Sequence, residues 1–430
     1  MINPEEHPIR MNFRPTAIDS VLQEENRTKL LSEFAAMQSS GTSAIYENQR
    51  NAGEYVVEKF TDFRHILNVM VIARTQSGKT GVACAIINKF AESKDTAIPI
   101  ENIYIITGVS SKEWLDQTRS RMPASIRDRV FHRPHLTKAF MADLKGKRNV
   151  LIVIDEIQVA ANKEQTLHRV FQSAGLTDID HMLRNDIKLV EISATPDGTC
   201  YDLAGWTVHA SKILMEPGEG YTSSYDLMLQ DRVRQSDQLD FVRPGDANQF
   251  HIIADDILRF SCPKYHIVRC STYMDSFKLT VKNLMKKFEQ SKYTYLLFDQ
   301  TSKNKDINVI LRVKPTKHTF ILIKETLRCA KSITKTHVGI LYDRVPESIS
   351  NSVMIQSLLG RCTGYDDNGE SIVYTDIPSI IKYEELWNSG FSETIRWKSM
   401  TTRHSNHINV SKQTFLSIPI VVPEINVDEL

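Results

Sequence analysis

Eight consecutive residues, Ala73-Arg74-Thr75-Gln76-Ser77-Gly78-Lys79-Thr80, combine the types that hold a polyphosphate. Gly78 lets the backbone fold its N–H groups around phosphate oxygens. A helix starting at Thr80 points its positive end at the same anion. Lys79 brings a point charge to the β- and γ-phosphates, and the Thr80 hydroxyl is a ligand for Mg²⁺. The bland reading, a chance Ser-Gly-Lys-Thr in a surface turn, is weakened by the flanks. Val69-Met70-Val71-Ile72 before it reads as a buried strand and Gly81–Ser93 after it as a helix.

A second constellation lies at Asp155-Glu156, where the apolar run Asn149–Ile154 ends. Open α/β sheets bind ligands at the carboxyl ends of their strands. Asp155 can hold Mg²⁺, which demands oxygen ligands and keeps some of its waters. Glu156 can then orient and deprotonate an attacking water. Alone, the pair reads equally as a solvated strand end with a helix-start carboxylate. It follows Lys79 by 155 − 79 = 76 residues, so both parts of one Mg–nucleotide site stand in workable order.

These groups need a scaffold, and the chain supplies one. Short Ile- and Val-rich runs at Leu67–Ala73, Ile103–Thr107, Val150–Ile154 and Leu189–Ser193 alternate with helical stretches such as Gly81–Ser93 and Ser111–Arg121. That alternation predicts a parallel sheet covered by helices. A second set follows at Tyr265–Cys270, Tyr293–Phe298, Thr319–Ile323, His337–Tyr342 and Ser371–Tyr374. Between the sets, a polar stretch from Glu216 to Asn248 carries Pro-Gly pairs, and the domain boundary is placed within it. The expected fold is α/β, as two lobes. Residues 1–50 form an N-terminal arm with a helix near Ser20–Met37, and 51–225 a first lobe. Residues 226–248 are a linker, 249–385 a second lobe and 386–430 a C-terminal extension.

With these segments in hand, the chain resembles a superfamily 2 helicase-type ATPase, DExH/Q-like and in compact two-lobe form. The resemblance rests on Ala73–Thr80, Asp155-Glu156-Ile157-Gln158 and Ser193-Ala194-Thr195-Pro196. Ala73 departs from the pattern, standing where a first Gly is usual. The resemblance implies two tandem RecA-like lobes, each a parallel sheet flanked by helices, binding Mg-ATP between them. It assigns Gln158 and Ser193-Ala194-Thr195 to coupling nucleotide state to nucleic-acid grip. Gln49, upstream of the phosphate loop, resembles the adenine-reading glutamine, although one Gln on a helix surface explains it as well. Thr107-Gly108-Val109-Ser110 resembles a strand-gripping motif, where backbone N–H groups and hydroxyls meet phosphates. A plain helix cap at Ser110-Ser111 accounts for it equally.

In the second half, Gln356-Ser357-Leu358-Leu359-Gly360-Arg361 resembles a motif that places an arginine finger, Arg361, on the γ-phosphate. Gln356 comes one position early, and Gly364 stands where a second Arg is usual. The implied function is an ATP-dependent helicase or translocase acting on DNA or RNA. The alternative is a nucleotide-gated nucleic-acid clamp or assembly subunit without unwinding activity. The implied ligands are ATP and Mg²⁺, with nucleic acid as partner.

Composition agrees and bounds the rest. The 430 residues are enough for two domains, and 41% hydrophobic with 24% charged residues is ordinary for a folded protein. A net charge of +1 argues against a histone-like basic coat but permits a local basic groove. Lysines 278, 282, 286, 287, 292, 303, 305, 314 and 317, with Arg312 and the interleaved Tyr293 and Tyr295, are candidates to line one. A solvated helix face explains the lysines too. The six cysteines lack disulfide-scaffold or zinc spacing, and the first residues lack a signal-peptide pattern. These points lead to an intracellular expectation, cytoplasmic or nuclear. The compact form resembles viral or phage-encoded proteins.

Overall fold

A computed structural model describes residues 8–11, 17–42, 45–156, 166–195, 206–236, 241, 249–298, 306–324, 332–344, 349–391, 396–399 and 412–415. Two six-stranded sheets dominate it, and every strand pairing within them is parallel.

The first sheet contains β1 (Asn68–Ala73), β2 (Ile103–Thr107), β3 (Val130–Phe131), β4 (Val150–Asp155), β5 (Ile187–Ser193) and β6 (Ala210–Met215), in the order β3-β2-β4-β5-β1-β6. Its central strands are buried on both faces, which is why their sequences are unbroken Ile/Val/Leu runs and not alternating ones. Val69, Val71, Ile105 and Val153 face one core together with α1 (Ala17–Ser39), α2 (Glu47–Asp62) and α3 (Lys79–Glu92). Tyr104, Ile106, Ile152 and Ile154 face another. Leu30 and Phe34 place α1 in the first of these cores.

The second sheet contains β7 (Val233–Gln235), β8 (Tyr265–Arg269), β9 (Thr294–Phe298), β10 (Thr319–Ile323), β11 (Val338–Tyr342) and β12 (Ile372–Thr375), in the order β7-β12-β11-β8-β10-β9. Its faces are covered by two clusters, one holding Ile267, Ile321 and Leu341, the other Val268, Phe320, Leu322 and Tyr374. The chain therefore has the two α/β lobes expected from its sequence, each built on a parallel sheet flanked by helices. An antiparallel pair, Arg396–Ser399 with Lys412–Phe415, follows.

Within the two six-stranded sheets, three strands lie outside the sequence-based expectation. β3 has only two residues. β6 is half-buried along most of its length, so its sequence, Ala-Ser-Lys-Ile-Leu-Met, lacks a buried-strand pattern. β7 sits within 226–248, the stretch read as a linker, and pairs with β12 at Val233↔Val373. The lobes also share apolar packing: Met70 and Ile72 of β1 belong to the cluster that holds Ile355, Leu358, Tyr383 and Trp387. Burying side chains from both sheets in one cluster fixes how the lobes face each other.

Candidate active site

Strand order brings the two constellations together. β5 lies between β1 and β4, and the registers Ile72↔Ser193 and Asp155↔Ile192 put the three strand ends at one level. The loop 74–78, the candidate phosphate loop, leaves β1, Asp155 ends β4, and Ser193-Ala194-Thr195 leaves β5 between them.

The loop is a tight turn stitched by its own serine. Ser77 donates from Oγ to Arg74 O at 2.7 Å, and Ser77 N reaches the same carbonyl at 3.2 Å. Gly78 has φ of 99°, a left-handed backbone that costs other residues energy. Gln76 takes φ of 57° without being glycine, so the loop carries backbone strain. α3 then starts at Lys79; Gly81 N and Val82 N bond back to Gly78 O at 2.8 and 3.3 Å, so the N–H groups ahead of them, at Lys79 and Thr80, form the open end of the helix. A Cβ on Gly78 or Gly81 would collide with the Gln49 carboxamide. Gln49 is thus buried over the loop, and its Oε1 accepts from Tyr46 N at 3.1 Å, closing the start of α2.

Lys79 Nζ lies 3.4 Å from Glu156 Oε1. Glu156 is buried with φ of 54°, a second strained residue in the site. Asp155 accepts from the Trp114 indole Nε1–H at 2.9 Å through Oδ2. Its Oδ1 is buried and has no hydrogen-bond partner among the described residues. Burial, then the adjacent Glu156 charge, pushes the Asp155 carboxyl up to about 6. A buried carboxylate oxygen without a proton donor is costly unless a cation meets it. One carboxylate with the half-buried Thr80 hydroxyl, in the first turn of α3, is a donor set suited to Mg²⁺, which takes its remaining oxygens from water and phosphates. The residues present therefore fit that ion.

The second lobe closes over this floor. Gln356 Nε2 donates to Thr195 Oγ1 at 2.7 Å and to Glu156 Oε2 at 3.2 Å. Gln76 Nε2 donates to Gly360 O at 2.9 Å, while the Thr75 and Thr363 hydroxyls meet at 2.9 Å. Tyr383 Oη donates to Ala194 O at 2.8 Å, and Tyr221 Oη to Thr75 O at 2.6 Å. Arg74 forms a two-pronged ion pair with Glu384, at 2.8 and 3.0 Å, with its guanidinium 4.3 Å from the Trp387 ring centre. Asp343 anchors the roof by accepting from Leu358 N at 2.8 Å and Arg269 Nε at 2.7 Å.

Arg361 is 2% exposed, not a helix-surface residue. Its Nη1 donates to Gln356 O at 2.8 Å and to Ser357 O on its own turn. Gly360 beside it touches the phosphate loop, as above. Of the strand-gripping candidates, Ser110 is exposed, whereas Thr107 and Gly108 are buried and Thr107 Oγ1 accepts from Val109 N at 3.2 Å. Gln158, Pro196, Lys303 and Lys305 lie outside the described residues. Lys278, Lys282 and Lys286 form an exposed stripe on helix Met274–Lys287. Tyr293 and Tyr295 are committed elsewhere: both pack on Phe320, with the Tyr295 ring stacked 5.5 Å from it.

Sequence reasoning missed Glu384, Tyr221, Tyr383, Thr363 and Trp114. The first four reach the loop or the β5 end from far along the chain, and no local pattern marks them. Trp114 carries a weak signal, as a large aromatic in the first turn after Ser111.

No family model matches the chain. An uncharacterised protein of Acanthamoeba polyphaga mimivirus is 23% identical over 364 residues, covering 80% of this chain and 87% of that one. Among solved structures, S. cerevisiae Dbp5 bound to RNA and ADP BeF3 aligns with a TM-score of 0.47 at 12% identity, covering 84% of this chain and 90% of that one. The DEAD-box helicase Mss116 bound to ssRNA and UDP-BeF aligns at 0.42 and 13% identity, covering 89% and 80%. RecG bound to a three-way DNA junction aligns at 0.44 and 12% identity, covering 83% and 47%. The likeness to these structures is one of fold: two parallel-sheet lobes, the first carrying the Ala73–Thr80 and Asp155-Glu156 segments at the ends of β1 and β4, on either side of β5.

Proposed function

We propose that the chain is an ATP-dependent nucleic-acid helicase or translocase that hydrolyses Mg-ATP in the cleft between its lobes. The observation that supports this most is Gln356, which joins Glu156 and Thr195 of the first lobe from the second. One side chain thereby touches the acid, the β5 end and the roof together.

On this reading Lys79 exchanges its contact with Glu156 for the β- and γ-phosphates, and the first turn of α3 presents N–H groups to them. Asp155 and Thr80 would hold Mg²⁺, which would supply charge neutralisation at the phosphates. Glu156, freed from Lys79, accepts the proton of the attacking water. Gln49 limits the loop's freedom and faces the base. Arg361 gives up its carbonyl contacts to meet the γ-phosphate, where a planar, always-charged donor suits spread negative charge. Ser193-Ala194-Thr195 couples this event to Ser110 and to the basic stripe of the second lobe, where a strand is gripped. Differential affinity of the open and closed forms for the strand moves the lobes along it.

The clamp reading draws support from Gly364, whose φ of 113° is a glycine conformation where the resemblance would have a second Arg. The decisive experiment is ATP turnover by the purified chain against single- and double-stranded DNA and RNA, with strand displacement in parallel. A motor is expected to show stimulated turnover and displacement. A clamp shows nucleotide-dependent binding without displacement, and absence of turnover and of strand binding would overturn both readings.

A further inference from the structure

The Asp155 carboxylate is held by a residue no nucleotide-binding pattern predicts. Trp114 is 5% exposed and lies in the first turn of α4 (Lys112–Ser120). A buried indole N–H needs an acceptor, and this one takes Asp155 Oδ2 at 2.9 Å, leaving Oδ1 buried without a partner. A core tryptophan with no further role is satisfied as well by any backbone carbonyl. Choosing the carboxylate fixes one of its oxygens and aims the other.

α4 is also the helix that follows the strand-gripping loop. Thr107 stands beside Asp155 in the β2–β4 register. From there the loop runs through Val109 and the exposed Ser110 to Ser111, whose Oγ accepts from Trp114 N at 3.2 Å and caps the helix. Arg133 N donates to Val109 O at 3.2 Å, and His132 Nδ1 contacts Ser111 O at 3.0 Å, so a second segment fastens the loop. The loop that would meet a strand and the carboxylate that would meet the metal are thus joined twice, through the sheet and through the indole. A displacement of the first turn of α4 moves the indole N–H and changes the hold on Asp155.

We propose that Trp114 is a positioning residue that aims Asp155 at the metal and transmits strand binding at the 107–111 loop to the metal site. This rests on the Mg-ATP and nucleic-acid reading given above. Partners that orient a metal ligand are worth about 10- to 100-fold in metal affinity.

The test compares wild type, Trp114→Phe and Asp155→Asn. In the presence of a non-hydrolysable ATP analogue, Mg²⁺ is titrated with and without single-stranded nucleic acid while tryptophan emission is read. Subtracting the Trp114→Phe trace isolates Trp114, since Trp387 also lies at the cleft. The expected difference signal saturates with Mg²⁺, shifts its midpoint when strand is added, and disappears in Asp155→Asn. In hydrolysis, Trp114→Phe should need about 10-fold more Mg²⁺ or beyond, and its stimulation by strand should collapse. Strand affinity without nucleotide should stay near wild type, which also shows that the variant is folded. If Trp114→Phe does not fold, Trp114→His, which keeps a ring N–H, should retain part of the Mg²⁺ dependence and of the stimulation. Wild-type Mg²⁺ dependence and stimulation in Trp114→Phe, or a flat difference signal beside normal hydrolysis, overturns the proposal alone. No Mg²⁺-dependent turnover and no strand binding in the wild type removes the parent reading and this inference with it.

Discussion

Gln356 and Glu156, 200 residues apart in sequence, meet at 3.2 Å between the two lobes. The acid faces Lys79 on its other oxygen, so a second-lobe amide and a first-lobe ammonium share one carboxylate. Any group that draws Lys79 away alters what Gln356 holds. The lobe arrangement and the phosphate loop are therefore linked through a single buried side chain.

Lys79→Ala removes the charge that would meet the phosphates. Turnover should fall to background, and the melting temperature should drop while the protein stays folded, since the ammonium is only 14% exposed and its loss leaves the buried Glu156 without that partner. Turnover and melting measured on one preparation check this, and wild-type turnover contradicts the site.

Glu156→Gln and Asp155→Asn should differ in kind. The first should bind Mg-ATP normally and hydrolyse it about 10²-fold more slowly or worse, as general-base help is lost. The second should raise the Mg²⁺ concentration needed for half-maximal turnover. Equal, mild effects in steady-state assays across a Mg²⁺ series would contradict separate roles for the two acids.

The Arg74–Glu384 pair is largely withdrawn from solvent, with Arg74 8% and Glu384 16% exposed. Removing one partner of such a pair leaves the other charge uncompensated and costs about 3–5 kcal/mol. Arg74→Ala and Glu384→Ala should each destabilise the two-lobe form, and the double variant should lose far less than the sum. A double-mutant cycle on urea unfolding should give a coupling of about 1–3 kcal/mol. Simple additivity would show that the pair does not hold the lobes together.

In the second lobe, Ile340 N donates to His266 Nδ1 at 3.1 Å, so His266 Nε2 carries the proton and gives it to His318 Nδ1 at 2.9 Å. Burial, then His318, holds His266 well below its ordinary value of 6.5, and burial, then Lys264, lowers His318. The Lys264 ammonium nearby pairs with Glu370, while Phe260 and Phe320 cover the rings. Both imidazoles are lowered in the folded state, so the unfolded chain binds more protons. Stability from this pair is complete above about 6.5 and is lost as pH falls toward the folded values. Melting from pH 8 to 5 should fall more steeply in wild type than in His266→Gln, and parallel curves would contradict the assignment.

The strand ends were legible because they are local. Val69–Thr80 states a strand, a turn and a helix within a few residues, and Ile154-Asp155-Glu156 marks where a buried strand meets solvent. The roof was only partly legible. Arg361 and Gln356 follow a pattern, but their contacts depend on how two sheets pack, and the pairing of Arg74 with Glu384 spans 310 residues. Trp114 reads as core by composition, and its role comes from the register that sets β2 beside β4. β6 and β7 escaped notice because a half-buried strand and a three-residue strand leave little pattern.

Arg361 tests the central claim that both lobes make one catalytic site. It is buried beside Gly360, whose carbonyl accepts from Gln76 of the phosphate loop. The measurement is ATP affinity and single-turnover hydrolysis for wild type and Arg361→Ala, each with and without single-stranded nucleic acid, with melting as the check on folding. Affinity should change little, because the first lobe supplies most of the binding. The hydrolysis rate should fall about 10³- to 10⁵-fold, as for other arginine fingers, Arg361→Lys should rescue poorly, and strand stimulation should be lost. A folded Arg361→Ala protein that hydrolyses ATP at the wild-type rate and is still stimulated by a strand would contradict the two-lobe account.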